Sequence, residues 1–254
     1  MYEYLKAHGR ARVAIKKIGG GLGDSLQLDY SVEFLKREFP QADIHVYYGT
    51  REEAEYFDGK LAAWFPRKEY DCVVDVSSCC VSYERPGATP RSRIDIYKDK
   101  LGCPAICWPR IPMSPVYVPG EFITLHVNSK DPNRSWSEDN YLKLIRRFPQ
   151  ETFVVLDDQY TLAEVAFLID ASKLFIGPDS MPMHLAGVLQ RRSIVLFGPS
   201  VPDTQLTHYP SHEAIVDPEC QHCWHQECLL KRNCINRIQV DTVSARLEEV
   251  LAEI

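Results

Sequence analysis

Residues 173–200 read KLFIGPDSMPMHLAGVLQRRSIVLFGPS, and the punctuation of this stretch decides the fold. An apolar run, Leu174 to Ile176, is broken by Gly177-Pro178, and a second run, Ile194 to Phe197, ends in Gly198-Pro199. Short apolar runs bounded by Gly and Pro predict buried parallel strands. The segment between them reads as a helix whose first turn carries Asp179 and Ser180, with His184 near its start. A carboxylate, a hydroxyl and an imidazole thus fall at the carboxyl end of a strand and the amino end of a helix. Open α/β sheets bind ligands there, and a helix N-terminus favours anionic groups such as phosphate.

Working outward, the whole chain repeats this grammar. Arg12 to Ile15, with Ile18, reads as a strand running into Gly19-Gly20-Gly21-Leu22-Gly23-Asp24-Ser25. Leu28, Val32, Leu35 and Phe39 then recur at helical spacing, Pro40 ends the helix, and Ile44 to Tyr48 forms a second strand. The glycine cluster is neither a complete G-x-G-x-x-G fingerprint nor a P-loop. Residues 51–70 read as a charged, helix-rich excursion, and Asp71 to Val76 as a third strand. Four prolines between Ala105 and Gly120 suit an extended linker, which sets the domains at 1–115 and 120–254. In the second half, strands are expected at 122–127 and 153–156. Helices are expected at 138–147, with Ser137 as N-cap, and at 161–171, opened by the Thr161/Glu164 capping box; a closing helix has Asp241 as its N-cap.

Composition narrows the function. At 254 residues, 45% apolar and 25% charged, the chain is long enough for two modest folded domains and too apolar to be disordered. A net charge of −6 argues against nucleic acid as the partner. No run of 18 apolar residues predicts a membrane span, and the first twenty residues lack the apolar core of a signal peptide, so the cytoplasm is the expected setting. Nine cysteines cannot all pair within one chain. Four of them, Cys220, Cys223, Cys228 and Cys234, fall within fifteen residues with His222 and His225 interleaved. That set suits one structural zinc or iron ion, or else buried thiols or oxidised pairs.

Asp179-Ser180-Met181-Pro182-Met183-His184-Leu185-Ala186 resembles the nucleotide-sugar motif of the heptosyltransferase-like enzymes, glycosyltransferase family 9, whose pattern is Asp-Ser/Thr-Gly-Pro-x-His-x-Ala. Gly21-Leu22-Gly23-Asp24 is similar to the same family's Gly-x-Leu/Met-Gly-Asp loop. The resemblance implies a GT-B fold: two Rossmann-like α/β domains with parallel sheets facing a cleft, here with a shortened N-terminal, acceptor-side domain. It implies transfer of heptose or a related sugar from a nucleoside-diphosphate sugar to a glycan, lipid-linked glycan or other hydroxyl acceptor, as in lipopolysaccharide biosynthesis. Inversion at the anomeric carbon is expected, with no cofactor needed for catalysis and membrane contact at most peripheral. By the same resemblance Asp24 is the general base in a loop with Gly21 and Gly23. Asn128, Ser129, Arg134, Asp179, Ser180, Met181 and His184 are the donor-binding set, and Arg134 is suited to the diphosphate because a guanidinium meets phosphate oxygens bidentately. Lys130 is a weaker second cation, and Arg85, Arg91 and Arg93 are candidates for an anionic acceptor. Each has a plainer role to compete with: Asp24 as a helix cap, His184 and Trp136 as core residues, the arginines as a solvated face. Met181 stands where the family has Gly, which motivates the alternative of a nucleotide- or glycan-binding GT-B-like protein without turnover.

Overall fold

A computed structural model describes residues 1–81, 89–127, 129, 131–220, 222–223 and 233–254. The chain divides into two compact units, Met1–Ile111 and Pro112–Ile254, each built on its own parallel sheet.

The first unit opens with α1 (Tyr2–Ala7), β1 (Arg12–Lys17), α2 (Leu22–Glu38) and β2 (Asp43–Tyr48). It continues through α3 (Arg51–Tyr56), β3 (Lys60–Leu61), β4 (Cys72–Asp75) and α4 (Arg93–Leu101). The sheet order is β3-β2-β1-β4, all parallel, with Ile15 opposite Val46 on one side and Val74 on the other. The chain therefore reverses its direction of sheet growth between β1 and β4. Val13 and Ile15 of β1 pack with Leu28, Val32 and Leu35 of α2, Tyr97 and Leu101 of α4, and Leu5 of α1. Burying each such apolar side chain contributes about 1.5–3 kcal/mol. Residues 51–70, expected to be helix-rich, hold only the six-residue α3, the short β3 and two 3-10 turns. Their charged, aromatic composition packs against a sheet edge instead, where Tyr47, Phe65 and Tyr70 form an aromatic cluster.

The second unit runs β5 (Ile123–His126), α5 (Glu138–Arg147), β6 (Phe153–Leu156), α6 (Leu162–Ala171), β7 (Leu174–Pro178) and α7 (Met181–Val188). It ends with β8 (Ser193–Phe197), α8 (Pro202–Leu206), β9 (His212–Val216) and α9 (Val240–Glu253). Its sheet order is β6-β5-β7-β8-β9, again all parallel. Both β7 and β8 are buried along their whole length, as central parallel strands covered on two faces must be. Helix α7 is equally buried from Pro182 to Val188. It lies so close to Tyr209 that a Cβ on Gly187 would come within 2.4 Å of that ring, so only glycine fits.

The caps show where local chemistry set the boundaries. Ser137 accepts from Asn140 N, and Thr161 and Glu164 form the expected capping box. Asp241, expected as the N-cap of the closing helix, sits inside its first turn, and the N-cap is Gln239. Helix α2 likewise begins four residues before the expected Leu26, which places Asp24 in its first turn. Residues 103–122 carry no helix or strand, in keeping with their prolines.

Asp29 on α2 yields a pH prediction. Burial pushes its carboxyl up to about 7, with Glu33 adding to the rise and Lys36 opposing it. Because the folded state holds the proton more tightly than the unfolded chain, stability falls as pH rises from about 4 to 7 and levels off above. Asp29→Asn is therefore expected to be more stable than the wild type by about 1–3 kcal/mol at pH 8, the gap closing near pH 4. Denaturant melts at the two pH values measure this, and equal stability at pH 8 contradicts it.

Candidate active site

The second unit brings Arg134, Asp179, Ser180 and His184 together. Between β5 and β7 the strand order reverses, and the loops leaving the carboxyl ends of these two neighbouring strands run side by side. In open parallel sheets that reversal leaves a crevice where ligands bind. The β5 loop brings Ser129 and Arg134; the β7 loop brings Asp179, Ser180 and the start of α7.

Asp179 is the centre of the cluster. Only 4% exposed, it accepts a hydrogen bond from Ser200 Oγ, and Arg134 Nη1 lies 3.9 Å from the same Oδ2. Arg134 Nη1 also donates to the Asp179 carbonyl at 3.1 Å, and Asp131 lies 3.6 Å from Arg134 Nε. His184, also 4% exposed, sets Nε2 3.9 Å from Asp179 Oδ1, while its Nδ1 meets the Tyr209 hydroxyl at 3.3 Å. Asp179 thus orients a guanidinium and an imidazole from within, and its burial keeps its own carboxylate away from solvent. Ser180 is the N-cap of α7; its hydroxyl bonds Pro178 O at 3.3 Å. Met181 follows as the first helical residue, partly exposed at the helix start. Ser129 is folded into its own loop, its Oγ accepting from Asp131 N and its N–H donating to Ser135 Oγ, both at 3.3 Å. Asn128 and Lys130 lie outside the described residues. Trp136 takes the core role: 1% exposed, it donates Nε1 to Ile238 O and packs edge-on to Tyr141.

His212 braces the same helix from β9. Its Nε2 meets Met183 O at 2.9 Å, and burial holds its pKa down at about 4, so the ring is neutral and donates to that carbonyl.

In the first unit the glycine loop leaves β1 at the reversal between β1 and β4. Gly20 adopts φ +74°, and a Cβ there would come within 2.6 Å of Asp24 Oδ2. Gly21 donates its N–H to the same oxygen at 2.6 Å, with Gly23 in the first turn of α2. Asp24 Oδ1 is paired with Arg93 Nη1 at 2.5 Å, both side chains less than one-fifth exposed. Asp24 accordingly does cap the helix, and Arg93 fixes its other oxygen. Arg91 pairs with Asp99 instead, and Arg85 lies outside the described residues.

Beneath this loop sits an ion pair that sequence reasoning missed. Lys17, 1% exposed, donates to Glu53 Oε1 at 2.7 Å, Ser25 Oγ at 2.6 Å and Gly21 O at 3.2 Å. All three ammonium protons are therefore used. Ser25 also donates to Glu53. Burial pulls the Glu53 carboxyl upward, yet the bonds from Lys17, Ser25 and Thr50 outweigh it and hold Glu53 below the usual carboxylate range. The available signal was register: Lys17 shares the strand face of Val13 and Ile15, so its ammonium turns inward while Lys16 turns out.

The four cysteines of the C-terminal loop are only partly visible. Cys220 donates its thiol to Gly198 O at 2.9 Å, with His222 Nδ1 3.9 Å from its sulfur; Cys234 is buried, and Cys228 and His225 lie outside the described residues. Among the described residues no three His, Cys, Asp or Glu side chains gather as metal ligands.

Residues 134–233 match the family model for glycosyltransferase family 9 (heptosyltransferase). No curated protein matches the chain. Among solved structures, the iron-containing dodecameric glycosyltransferase TibC of enterotoxigenic E. coli H10407 superposes with a TM-score of 0.75 at 14% identity, over 96% of this chain and 77% of that one. A glycosyltransferase family 9 protein of Veillonella parvula gives 0.68 at 13% identity, covering 96% and 98%. The E. coli heptosyltransferase WaaC, solved with ADP-2-deoxy-2-fluoro heptose, gives 0.60 at 15%, covering 94% and 99%. These likenesses establish a GT-B fold with two parallel sheets. The resemblance read from Asp179 to Ala186 agrees with both findings: a match to the glycosyltransferase family 9 model within the second unit, and the fold of solved heptosyltransferases.

The Lys17–Glu53 pair gives a second prediction. Lys17→Met and Glu53→Gln each strand a buried polar partner and are expected to cost about 3–5 kcal/mol, whereas Lys17→Met/Glu53→Leu recovers much of the loss. Single variants within 0.5 kcal/mol of wild type, a threshold of about the scatter of surface substitutions, contradict a structural role for the pair.

Proposed function

We propose that this chain transfers heptose or a related sugar from a nucleoside-diphosphate sugar to a hydroxyl of a glycan or lipid-linked glycan acceptor, with inversion. The observation that carries the reading is the convergence of Arg134, Ser180, His184 and the N-terminus of α7 at the strand-order reversal of the second unit. Arg134 and His184 are held on Asp179, ready to meet negative charge without rearranging first. The solved complex of WaaC with an ADP-sugar analogue supports a nucleoside diphosphate as the leaving group.

In this reading Asp24 accepts the proton of the acceptor hydroxyl as its oxygen attacks the anomeric carbon. The bond from that carbon to the diphosphate oxygen breaks, and the charge left on the diphosphate is met by Arg134, His184, the Ser180 hydroxyl and the helix N-terminus. Arg93, paired to one Asp24 oxygen, holds the carboxylate in a fixed orientation. We place the reaction in the cytoplasm: nine cysteines, an odd number, cannot all pair within one chain, and a reducing setting suits them. Among the described residues no helix is long and apolar enough to cross a membrane. For the cysteine loop we propose a structural zinc or iron ion on Cys220, Cys223, Cys228 and Cys234, whose thiolates suit either metal; TibC is described as iron-containing. Metal content of the purified full chain decides this, and a metal-free, fully folded protein contradicts it.

The alternative, a binder without turnover, is favoured by Met181, whose side chain stands at the start of α7. Turnover separates the two. With a panel of nucleoside-diphosphate sugars, Asp24→Ala is expected to lower kcat by about 10²–10⁴ while leaving donor affinity intact. Arg134→Ala should weaken nucleoside-diphosphate binding by about 10- to 100-fold, or 1.4–2.8 kcal/mol. Binding without turnover in the wild type supports the alternative, and binding indifferent to Arg134 overturns the donor site.

A further inference from the structure

The strand-order reversal of the first unit holds a feature the proposed reaction does not use. β4 ends at Asp75, and the turn after it carries two adjacent cysteines, Cys79 and Cys80. This turn is tied to the end of β1: Val76 N donates to Lys16 O at 2.9 Å, and Ile18 N to Ser77 Oγ at 2.8 Å. Adjacent side chains on an extended backbone point to opposite sides. Here the turn, closed by Cys79 N on Val76 O, brings the two sulfurs within 3.9 Å. Both thiols are partly exposed.

Their surroundings make them unequal. Lys100 of α4 adds positive charge beside Cys79, and Arg93, the partner of Asp24, does so beside Cys80. The Tyr97 hydroxyl, buried against the same core, bonds Cys80. Cys80 hydrogen-bonds Cys79 and lowers the pKa of the Cys79 thiol, with Lys100 helping, against burial and the nearby Asp24 carboxylate; Cys80 itself is pushed up by the same bond and by burial. Cys79 is thus the more acidic of the two thiols, with Cys80 as its hydrogen-bond partner. Cys103 of the same unit offers an internal contrast: burial pushes it up to about 12, leaving it inert.

We propose that Cys79 is a site of reversible covalent modification by low-molecular-weight disulfides of the glutathione class, placed where an adduct obstructs Asp24. The inhibitory consequence rests on the proposed role of Asp24; the modification itself does not. The Cys79 thiolate attacks one sulfur of glutathione disulfide, the S–S bond breaks, and one glutathione departs as a thiolate that takes up the proton Cys79 had lost. Cys79 sulfur is oxidised and the released glutathione sulfur is reduced. Closure to a Cys79–Cys80 disulfide is disfavoured: adjacent Cα atoms are about 3.8 Å apart, below the usual range of about 4.4–6.8 Å, and Cys80 is the poorer nucleophile. The mixed disulfide therefore persists until an outside thiol attacks it. The carboxylates of the bound glutathione find Lys100 and Arg93 as neighbours, and Arg93 is the residue that holds Asp24.

The test is exposure of the purified full-length protein to glutathione disulfide, with peptide mapping by mass spectrometry over time. Cys79 is expected to carry the first glutathione, several-fold faster than Cys103, and Cys80→Ala should slow that reaction. Transfer activity is expected to fall with occupancy, to return on adding dithiothreitol, and to be insensitive in Cys79→Ser, while calorimetric affinity for ADP in the second unit stays unchanged. Modification of Cys79 no faster than of Cys103 overturns the proposal, as does a stoichiometric Cys79 adduct with full activity. If no donor is transferred at all, the proposed function falls, yet the mapped adduct still decides whether Cys79 is the reactive thiol.

Discussion

Asp179 leaves the carboxyl end of β7 with its side chain buried, and a carboxylate taken out of water there costs several kcal/mol unless donors surround it. Ser200, from the end of β8, supplies one hydrogen bond, and Arg134, from the β5 loop, supplies the opposing charge. His184 stands 3.9 Å away on α7, held from behind by Tyr209. One buried anion therefore ties together the ends of three parallel strands and the start of a helix. Of its two neighbours Arg134 is the more exposed, with a quarter of its side chain open, whereas His184 is buried. We propose that Asp179 positions Arg134 and His184 for the donor.

The first unit solves a related problem with the opposite sign. Its buried charge is Lys17, an ammonium at the end of β1, satisfied by Glu53, Ser25 and the Gly21 carbonyl. That arrangement clamps the turn between β1 and α2 from below, while Gly21 N and Arg93 fix Asp24 from above. Each unit thus uses a buried charge to set a loop rigidly at the point where strand order reverses. Rigid loops are what a group-transfer enzyme requires at both substrates, because misplacement of a reacting group by about 1 Å is costly to rate.

The parts of this design that follow local rules were legible in the amino-acid order. Glycine- and proline-bounded apolar runs marked β7 and β8; helical spacing marked α2 and α6; Thr161 and Glu164 marked a cap. The motif at Asp179 to His184 pointed to the strand-order reversal and to glycosyltransferase family 9, whose model matches residues 134–233. Long-range partnerships were not legible. Nothing at position 209 announces that its hydroxyl meets His184, and Ser25 gives no sign that it shares Glu53 with Lys17. Ser200 had a signal that went unused, since it follows Gly198-Pro199 at a strand's carboxyl end just as Asp179 follows Gly177-Pro178. Strand β9 was missed because His212 to Val216 alternates weakly and lies at the edge of the sheet, where one flank needs no apolar cover. The excursion at 51–70 was misread because charge and aromatic content suit a helix surface and an irregular sheet cover alike.

The most direct test of the account is backbone hydrogen exchange with and without a nucleoside diphosphate. Slowed exchange concentrated at residues 180–184 and 131–135, abolished by Arg134→Ala, is the predicted result, because the ligand would sit on the N-terminus of α7 and on the β5 loop. Protection confined to residues 19–25, or none anywhere at saturating nucleotide, would contradict the assignment of the donor site to the strand-order reversal of the second unit.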